Sequence, residues 1–152
     1  VGSEMCIRDR DLSVQAQVLN FMKKIQRQFG ISYLFISHDL GVVRHMCKNI
    51  AIMTRGRIVE VGTREDIYNN PMHIYTKRLL AAIPETNVNH REAHRKHRLE
   101  IEKIYQEQQA TYYDQDGMAF PLVKVSPTHS VALPPELAKK FEQQSESKGV
   151  NV

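Results

Sequence analysis

The sequence predicts an α/β domain, because apolar stretches of strand length alternate with stretches of helical spacing in its first half. The stretch from Ile31 to Ser37 is short and mostly apolar, which is typical of a parallel strand buried on both faces. His38 and Asp39 follow it directly, and ligands of open α/β sheets bind outside the carboxyl ends of the strands. His38 is therefore a candidate functional residue, although a histidine after a strand can also be purely structural.

Composition sets broad limits on function. The chain has 152 residues, 41% hydrophobic and 25% charged, which predicts one domain with a tail. The formal charge of +4 permits an anionic partner, such as a nucleotide, a nucleic acid or the cytoplasmic face of a membrane, but selects none of them. Cys6 and Cys47 have neither metal-ligand spacing nor the density of a disulfide framework, which favours a reducing cytosol. No apolar run approaches the roughly 18 residues that a membrane helix needs.

Residues 1–10 show neither helical nor strand periodicity and contain no signal-peptide core. They resemble translated sequencing-adapter DNA, and we expect them to be a non-native leader. The stretch from Ser13 to Phe29 is the first predicted helix, since its apolar residues recur at spacings of three and four. Asp11 or Ser13 is expected to cap its start, and Gly30 to end it in a left-handed conformation.

The stretch after Asp39 completes one α/β unit, which we expect to cover residues 11–84. A tight-turn dipeptide separates two apolar strands, a capping-box pair precedes a short helix, and a proline ends the last helix. Asp39 is expected to cap the helix that follows it. The signals are Arg55 with Gly56, Thr63 with Asp66, and Pro84; the expected elements are a helix at 40–47, strands at 49–54 and 57–62, and helices at 64–69 and 73–83.

A C-terminal extension is expected at residues 85–142, because the composition becomes polar after the proline. The most regular structure expected for residues 85–117 is a charged linker helix. Strands are expected at 120–125 and 130–133, followed by a short helix. Residues 143–152 are expected to be a disordered tail.

Taken together, four segments resemble the C-terminal part of an ATP-binding subunit of an ABC transporter, in the oligopeptide/dipeptide importer branch. Each segment is weak alone, but their order and spacing match the family. The resemblance implies the C-terminal part of an ABC-type (P-loop NTPase) nucleotide-binding domain with a small helical and β extension. The segments are Asp11–Leu19 (end of the D-loop and next helix), Phe35–Leu40 (H-loop), Met53–Gly62 (hairpin) and Asn70–Pro84 (the Pro-x-His-x-Tyr-Thr segment of the peptide importers).

The resemblance assigns roles to two residues. His38 maps onto the switch histidine of the H-loop, which implies that its imidazole hydrogen-bonds the γ-phosphate and the attacking water. Asp11 maps onto the end of the D-loop, which implies contact with the opposite subunit. A nucleotide and subunit interface formed by Asp11 and His38 is therefore expected, and no metal ligand is assigned to this chain.

The resemblance also implies cofactors and partners. ATP and Mg²⁺ are expected in the intact parent. The expected partners are a second ATP-binding subunit, transmembrane permease subunits and, indirectly, a peptide-binding lipoprotein or periplasmic protein; no nucleic acid is expected. The implied location is the cytoplasmic face of the cell membrane.

Several family motifs do not occur in this sequence. The Gly-rich phosphate loop (Walker A), the Q-loop, the Ser-Gly-Gly-Gln signature and the Asp-Glu pair of Walker B are absent. This predicts a truncated chain whose first native residue is near Asp11. The parent is expected to be an ATP hydrolase, whereas this chain alone is predicted to be inactive. The tail also lacks cysteine, so no iron–sulfur site is expected there.

Other interpretations stay open. His90, His94 and His97 share one helical face and could bind zinc, but the neighbouring cations favour a solvated or membrane-facing helix instead. His73 and Tyr75 are interpreted as docking or packing residues. An alternative from another class is a non-enzymatic basic adaptor that binds nucleic acid or anionic membrane through residues 85–142. In a third interpretation the tail regulates the parent by packing on its partner subunit.

Overall fold

The computed structural model describes the backbone of residues 3–84 and 90–147, and the side chains of 16–84 and 90–141. The chain divides into two compact units, of which the first ends at His38 and the second begins at Asp39.

The first unit contains one long helix, α1 (Ser3–Phe29). Gly30 ends it with a φ of 64°, and its N–H donates to the Gln26 carbonyl over 3.0 Å, which confirms the predicted stop. The prediction that Asp11 or Ser13 caps the start is wrong, because both lie inside the helix. Neither Gly nor Pro interrupts the sequence of α1, so nothing local stops the helix from extending back to Ser3.

The strand predicted from Ile31 to Ser37 does not form in this structure. These residues have no regular secondary structure, and their side chains are mostly exposed: Leu34 is 91% exposed and Ile36 is 87% exposed. A central parallel strand takes its hydrogen bonds from a strand on each side. No strand in the described part of the chain pairs with this stretch, so its apolar residues remain unburied.

The second unit is built on a four-stranded antiparallel sheet. Arg55 (φ 49°) and Gly56 (φ 73°) both have positive φ, as a type I′ turn requires, which confirms the predicted hairpin. The sheet joins strands from both sides of the boundary expected after Pro84. Its strands are β1 (Asn49–Thr54), β2 (Arg57–Thr63), β3 (Leu122–Ser126) and β4 (His129–Ala132), in the order β1-β2-β4-β3.

Five helices accompany the sheet in the described part of this unit. The Asp39 side chain accepts a hydrogen bond from the Val42 N–H over 3.1 Å, so the predicted cap is confirmed. The last helix includes residues 143–147, which were expected to be disordered; residues 148–152 lie outside the described range. The helices are α2 (Leu40–Met46), α3 (Arg64–Asn69), α4 (Ile74–Ala81), α5 (Arg91–Gln108, continued by a 3₁₀ turn at Gln109–Tyr112) and α6 (Pro135–Ser147).

The capping box of α3 forms as predicted. The Thr63 N–H donates to Asp66 Oδ2 over 2.9 Å, and the Asp66 N–H donates to Thr63 Oγ1 over 3.2 Å. The Thr63 hydroxyl group also donates to Asp66 Oδ2, over 2.7 Å. This bond and the one from the Thr63 N–H lower the pKa of the Asp66 carboxyl group, because they stabilise its ionised form.

The main core of the second unit lies where α4, α5, β4 and α6 meet. It is rich in tyrosine, and Arg78 of α4 reaches across it, donating to Glu102 of α5 over 2.7 Å and lying over the ring of Tyr105. None of the helices in residues 3–84 and 90–147 is long and apolar enough to cross a bilayer. The buried residues of this core are Ile74, Tyr105, Tyr112, Tyr113, Val131, Leu133 and Ala138.

Candidate functional site

His38 lies at a bend after the exposed stretch 31–37, and its side chain is exposed. The next residue, Asp39, caps α2, so the backbone immediately after the histidine is held by a helix start. The structure therefore places the predicted switch histidine on the surface of the first unit, where its imidazole is open to solvent.

Asp11 lies inside α1, and its side chain is outside the described residues. The loop expected to end at Asp11 is not formed, because the backbone on both sides of it is helical. The interface role of this aspartate stays a prediction.

The second unit contains a buried carboxylate that the sequence analysis did not single out. Glu60 of β2 is fully buried and has three hydrogen-bond donors. The backbone N–H groups of Met72 and His73 donate to its two oxygens over 2.8 and 3.1 Å. His129 Nε2 of β4 lies 2.8 Å from Glu60 Oε1. An ionised carboxylate can only accept, so this contact is a hydrogen bond to it when Nε2 of His129 carries the proton.

The hydrogen bonds of Glu60 connect three parts of the second unit that are far apart in sequence. They join β2 to the segment that leads into α4 and to β4 of the extension. Gly62 permits this approach, since a Cβ at that position would lie 2.9 Å from Asp66 Cβ and 3.1 Å from His129 Cδ2. A buried polar group is tolerated when it is hydrogen-bonded, and Glu60 meets this condition.

His73 is also fully buried. Its Nδ1 accepts from the Tyr75 N–H over 3.1 Å and so caps α4, and its ring packs edge-on against Tyr112 with 4.9 Å between centroids. Burial lowers the pKa of His73 to about 4, because the charged imidazolium would lose its hydration. With this pKa the imidazole is neutral at pH 7, and since Nδ1 accepts, its proton lies on Nε2, which has no partner in the described structure. Of the two roles proposed for His73, the structure supports packing.

The remaining candidate residues are the three histidines His90, His94 and His97, and Cys47. Groups of three or more His, Cys, Asp or Glu that could hold a metal do not occur among the described residues, so His90, His94 and His97 do not form the zinc site considered from the sequence. Burial raises the pKa of the half-buried Cys47 thiol, which lowers its thiolate fraction and therefore its reactivity.

Sequence reasoning could have found part of the buried cluster. A carboxylate between Val59 and Val61 in an apolar strand is unusual. It could have been used to predict that Glu60 is buried and has hydrogen-bond partners. The partner His129 lies 69 positions away, and no sequence pattern connects the two residues.

This part of the chain is similar to known transporter proteins. Residues 59–112, which include Glu60 and His73, match the family described as "Oligopeptide/dipeptide transporter, C-terminal region". The chain is 62% identical over 124 residues to the oligopeptide transport ATP-binding protein OppF of Lactococcus lactis subsp. lactis (strain IL1403), with 82% of this chain and 39% of that protein covered.

Two further relatives also match this chain over less than half of their own length. OppF of Streptococcus mutans serotype c is 37% identical over 134 residues, with 88% of this chain and 40% of that protein covered. The dipeptide transport ATP-binding protein DppF of Escherichia coli (strain K12) is 52% identical over 81 residues, with 53% and 24% covered. The chain thus spans about two fifths of the length of the OppF proteins that it matches.

Proposed function

We propose a function from one premise: this chain belongs to the ATP-binding subunits of the oligopeptide and dipeptide importers and corresponds to their C-terminal part. On this premise, the parent protein couples ATP hydrolysis to the uptake of oligopeptides or dipeptides. The observation that carries the proposal is the 62% identity over 124 residues to an oligopeptide transport ATP-binding protein.

In this proposal His38 acts as the switch histidine of the parent. An exposed imidazole can donate to or accept from a terminal phosphate and an attacking water, and phosphoryl transfer depends on such positioning. Asp39 supports the role indirectly, because its cap on α2 holds the backbone that follows the histidine. Asp11 is proposed to contact the opposite ATP-binding subunit.

The stretch before His38 supports the same proposal. Its residues are mostly apolar, yet Leu34 and Ile36 are almost fully exposed. Soluble proteins rarely leave two such large neighbours unburied without a partner. We propose that in the parent this stretch is a central strand, flanked by strands that this chain does not contain, and that it then presents His38 at the edge of the sheet.

ATP and Mg²⁺ are proposed as cofactors of the parent, with most of their ligands outside this chain. The sequence contains no phosphate loop, and the described residues contain no cluster of acidic or histidine side chains that could hold a metal. The contribution proposed for this chain is therefore limited to His38 at the γ-phosphate. The isolated chain is expected to show no ATP turnover.

The proposed partners are a second ATP-binding subunit and transmembrane permease subunits, with a peptide-binding protein acting indirectly. This arrangement would place the parent at the cytoplasmic face of the membrane. The second unit, with its own core, is proposed to be the region that can fold without these partners.

The experiment that tests the switch role is His38→Ala in a full-length parent assembled with its permease. We expect ATP turnover to fall by about 10²-fold or more, because a group acting on the transferred phosphate is lost. His45→Ala is the matched control, since His45 is another exposed histidine a few residues away, and it should leave turnover unchanged. Unaltered turnover in His38→Ala, with nucleotide binding intact, would contradict the proposal.

A further inference from the structure

A groove lies between the end of α4 and the first half of α5. It is open to solvent, has a volume of about 260 Å³ and is lined by Ala82 and Pro84 on one side. The other side is formed by one face of α5, with Arg91, Arg95 and Arg98 exposed and His94 half-buried between them. Residues at these spacings are neighbours on a helix surface, so the four side chains form one continuous basic patch.

The three arginines have no carboxylate partner in the described structure. The first half of α5 contains a single acidic residue, Glu92, and it pairs with Lys96 over 3.3 Å. Further along the helix, Glu102 is paired with Arg78 and Glu107 with Lys103. The positive charge of the groove is therefore not neutralised by the ion pairs of α5.

The direction of α5 adds to the positive electrostatic potential of the groove. The groove lies at the N-terminal half of an 18-residue helix, where the aligned peptide dipoles place partial positive charge. The side chain of His90, which precedes the helix, makes no capping hydrogen bond to the first turn. Like-charged guanidinium groups at these spacings repel one another, and a bound anion would relieve that repulsion.

We propose that this groove binds a phosphate-bearing anion. Guanidinium groups present planar pairs of N–H donors that match the oxygens of phosphate, and three of them together can balance a doubly charged group. The volume exceeds that of one phosphate group, so the groove has room for the organic group that carries it. The phosphate belongs either to a lipid headgroup or to a soluble phosphate compound. This proposal does not depend on the transport proposal.

The first test measures binding of inorganic phosphate and pyrophosphate to the full chain by calorimetry. The groove variant is Arg91→Gln with Arg95→Gln. The matched control is Lys96→Gln with Lys103→Gln, which removes the same charge from the same helix but outside the groove. All four residues are exposed, so both variants should keep the wild-type unfolding midpoint.

We expect the groove variant to lose at least about tenfold in affinity for pyrophosphate while the control stays within about twofold of wild type. An equal loss in both variants would mean that only net charge matters, and this result would overturn the proposal. Absence of phosphate and pyrophosphate binding to the wild-type chain, together with absence of vesicle binding, would also overturn it.

The second test distinguishes the two sources of phosphate. It compares binding to phosphatidylcholine vesicles with and without phosphatidylglycerol. A lipid headgroup as ligand predicts binding to the anionic vesicles that the groove variant loses and the control keeps. A soluble phosphate compound predicts no difference between the two variants on vesicles, together with the selective loss of pyrophosphate binding.

Discussion

The two units of this chain differ in how far their apolar side chains are buried. In the first unit Leu34 and Ile36 are exposed, and the helix α1 leaves Phe21 and Phe29 more than half exposed. In the second unit residues such as Val59, Ile67 and Val131 are fully buried around a sheet. The contrast indicates that the second unit has its own core, whereas the apolar residues of 31–37 are not covered by any strand of the described residues.

Polar groups show the same contrast. The second unit buries the carboxylate of Glu60, because three donors from two separate segments reach it. The first unit presents His38 to solvent, where an external ligand can reach it. A buried network of this kind stabilises a specific packing, while an exposed titratable group after a strand sequence is available for chemistry.

The largest effect is expected from Glu60→Ala in the full chain. The free energy of unfolding of the second unit should fall by about 3–5 kcal/mol, because His129 and two backbone N–H groups lose their acceptor inside the core. Chemical denaturation followed by near-ultraviolet circular dichroism of the buried tyrosines measures the change.

The control for that substitution is Glu65→Ala. Glu65 is exposed and paired only with Arg64 over 3.0 Å, so its loss should cost under about 1 kcal/mol. If the two substitutions had equal effects, Glu60 would not hold the second unit together.

The second effect is a loss of stability in mild acid that depends on His73. Its pKa is lowered to about 4 in the folded protein, from about 6.5 in the unfolded chain, so the unfolded state binds the proton first as the pH falls. The stabilisation is fully present above pH 6.5 and is lost as the pH falls toward 4. We expect the free energy of unfolding to fall by about 2 kcal/mol between pH 7 and pH 5.

His73→Asn separates this titration from other acid effects. Asparagine keeps a side-chain acceptor for the first turn of α4 but does not titrate in this range. The variant should be less stable at pH 7 and should show a flatter pH dependence between pH 7 and pH 5. The same slope as in the wild type would assign the acid sensitivity to another group.

A smaller effect is expected from Thr63→Ala at the capping box of α3. Its hydroxyl group donates to Asp66 Oδ2 over 2.7 Å and accepts from the Asp66 N–H, and the substitution removes both bonds. The free energy of unfolding should fall by about 1 kcal/mol. Thr63→Ser keeps the hydroxyl group and should recover most of the loss; if it does not, the methyl group of Thr63 and not the cap provides the stability.

The smallest effect in this chain is expected from Leu34→Ser combined with Ile36→Ser. Both side chains are already exposed, so the stability of the second unit should change by less than about 0.5 kcal/mol. In a full-length parent the same pair should lower the thermal midpoint and the soluble yield strongly, because both residues would lie in a buried strand. A negligible effect in the parent would remove the argument that this stretch is a central strand.

Much of the local structure could be predicted from the sequence. The turn at Arg55 and Gly56, the cap at Asp39 and the helix stop at Gly30 all formed as expected. Each depends on residues within a few positions of one another, so a short sequence window contains all the chemistry involved. The start of α1 was missed because Asp11 is a good cap only if the preceding residues are not helical.

The candidate sites were predictable to different degrees. His38 stands out in the sequence because it follows an apolar stretch, and its exposure agrees with that selection. The cations of α5 could also be placed on one helical face from their spacing alone. Their position opposite Ala82 and Pro84, which creates the groove, depends on how α4 packs on α5.

The sequence by itself determined the caps of α2 and α3, the turn at Arg55 and Gly56, and the stop of α1 at Gly30. Only the tertiary structure decided that β2 pairs with β4, that Glu60 is buried against His129, and that residues 31–37 remain outside any sheet. The physical reason is that strand hydrogen bonds and a buried charge need partners from distant parts of the chain. Where those partners are present, an unusual residue is buried and paired; where they are not, a good strand sequence remains exposed.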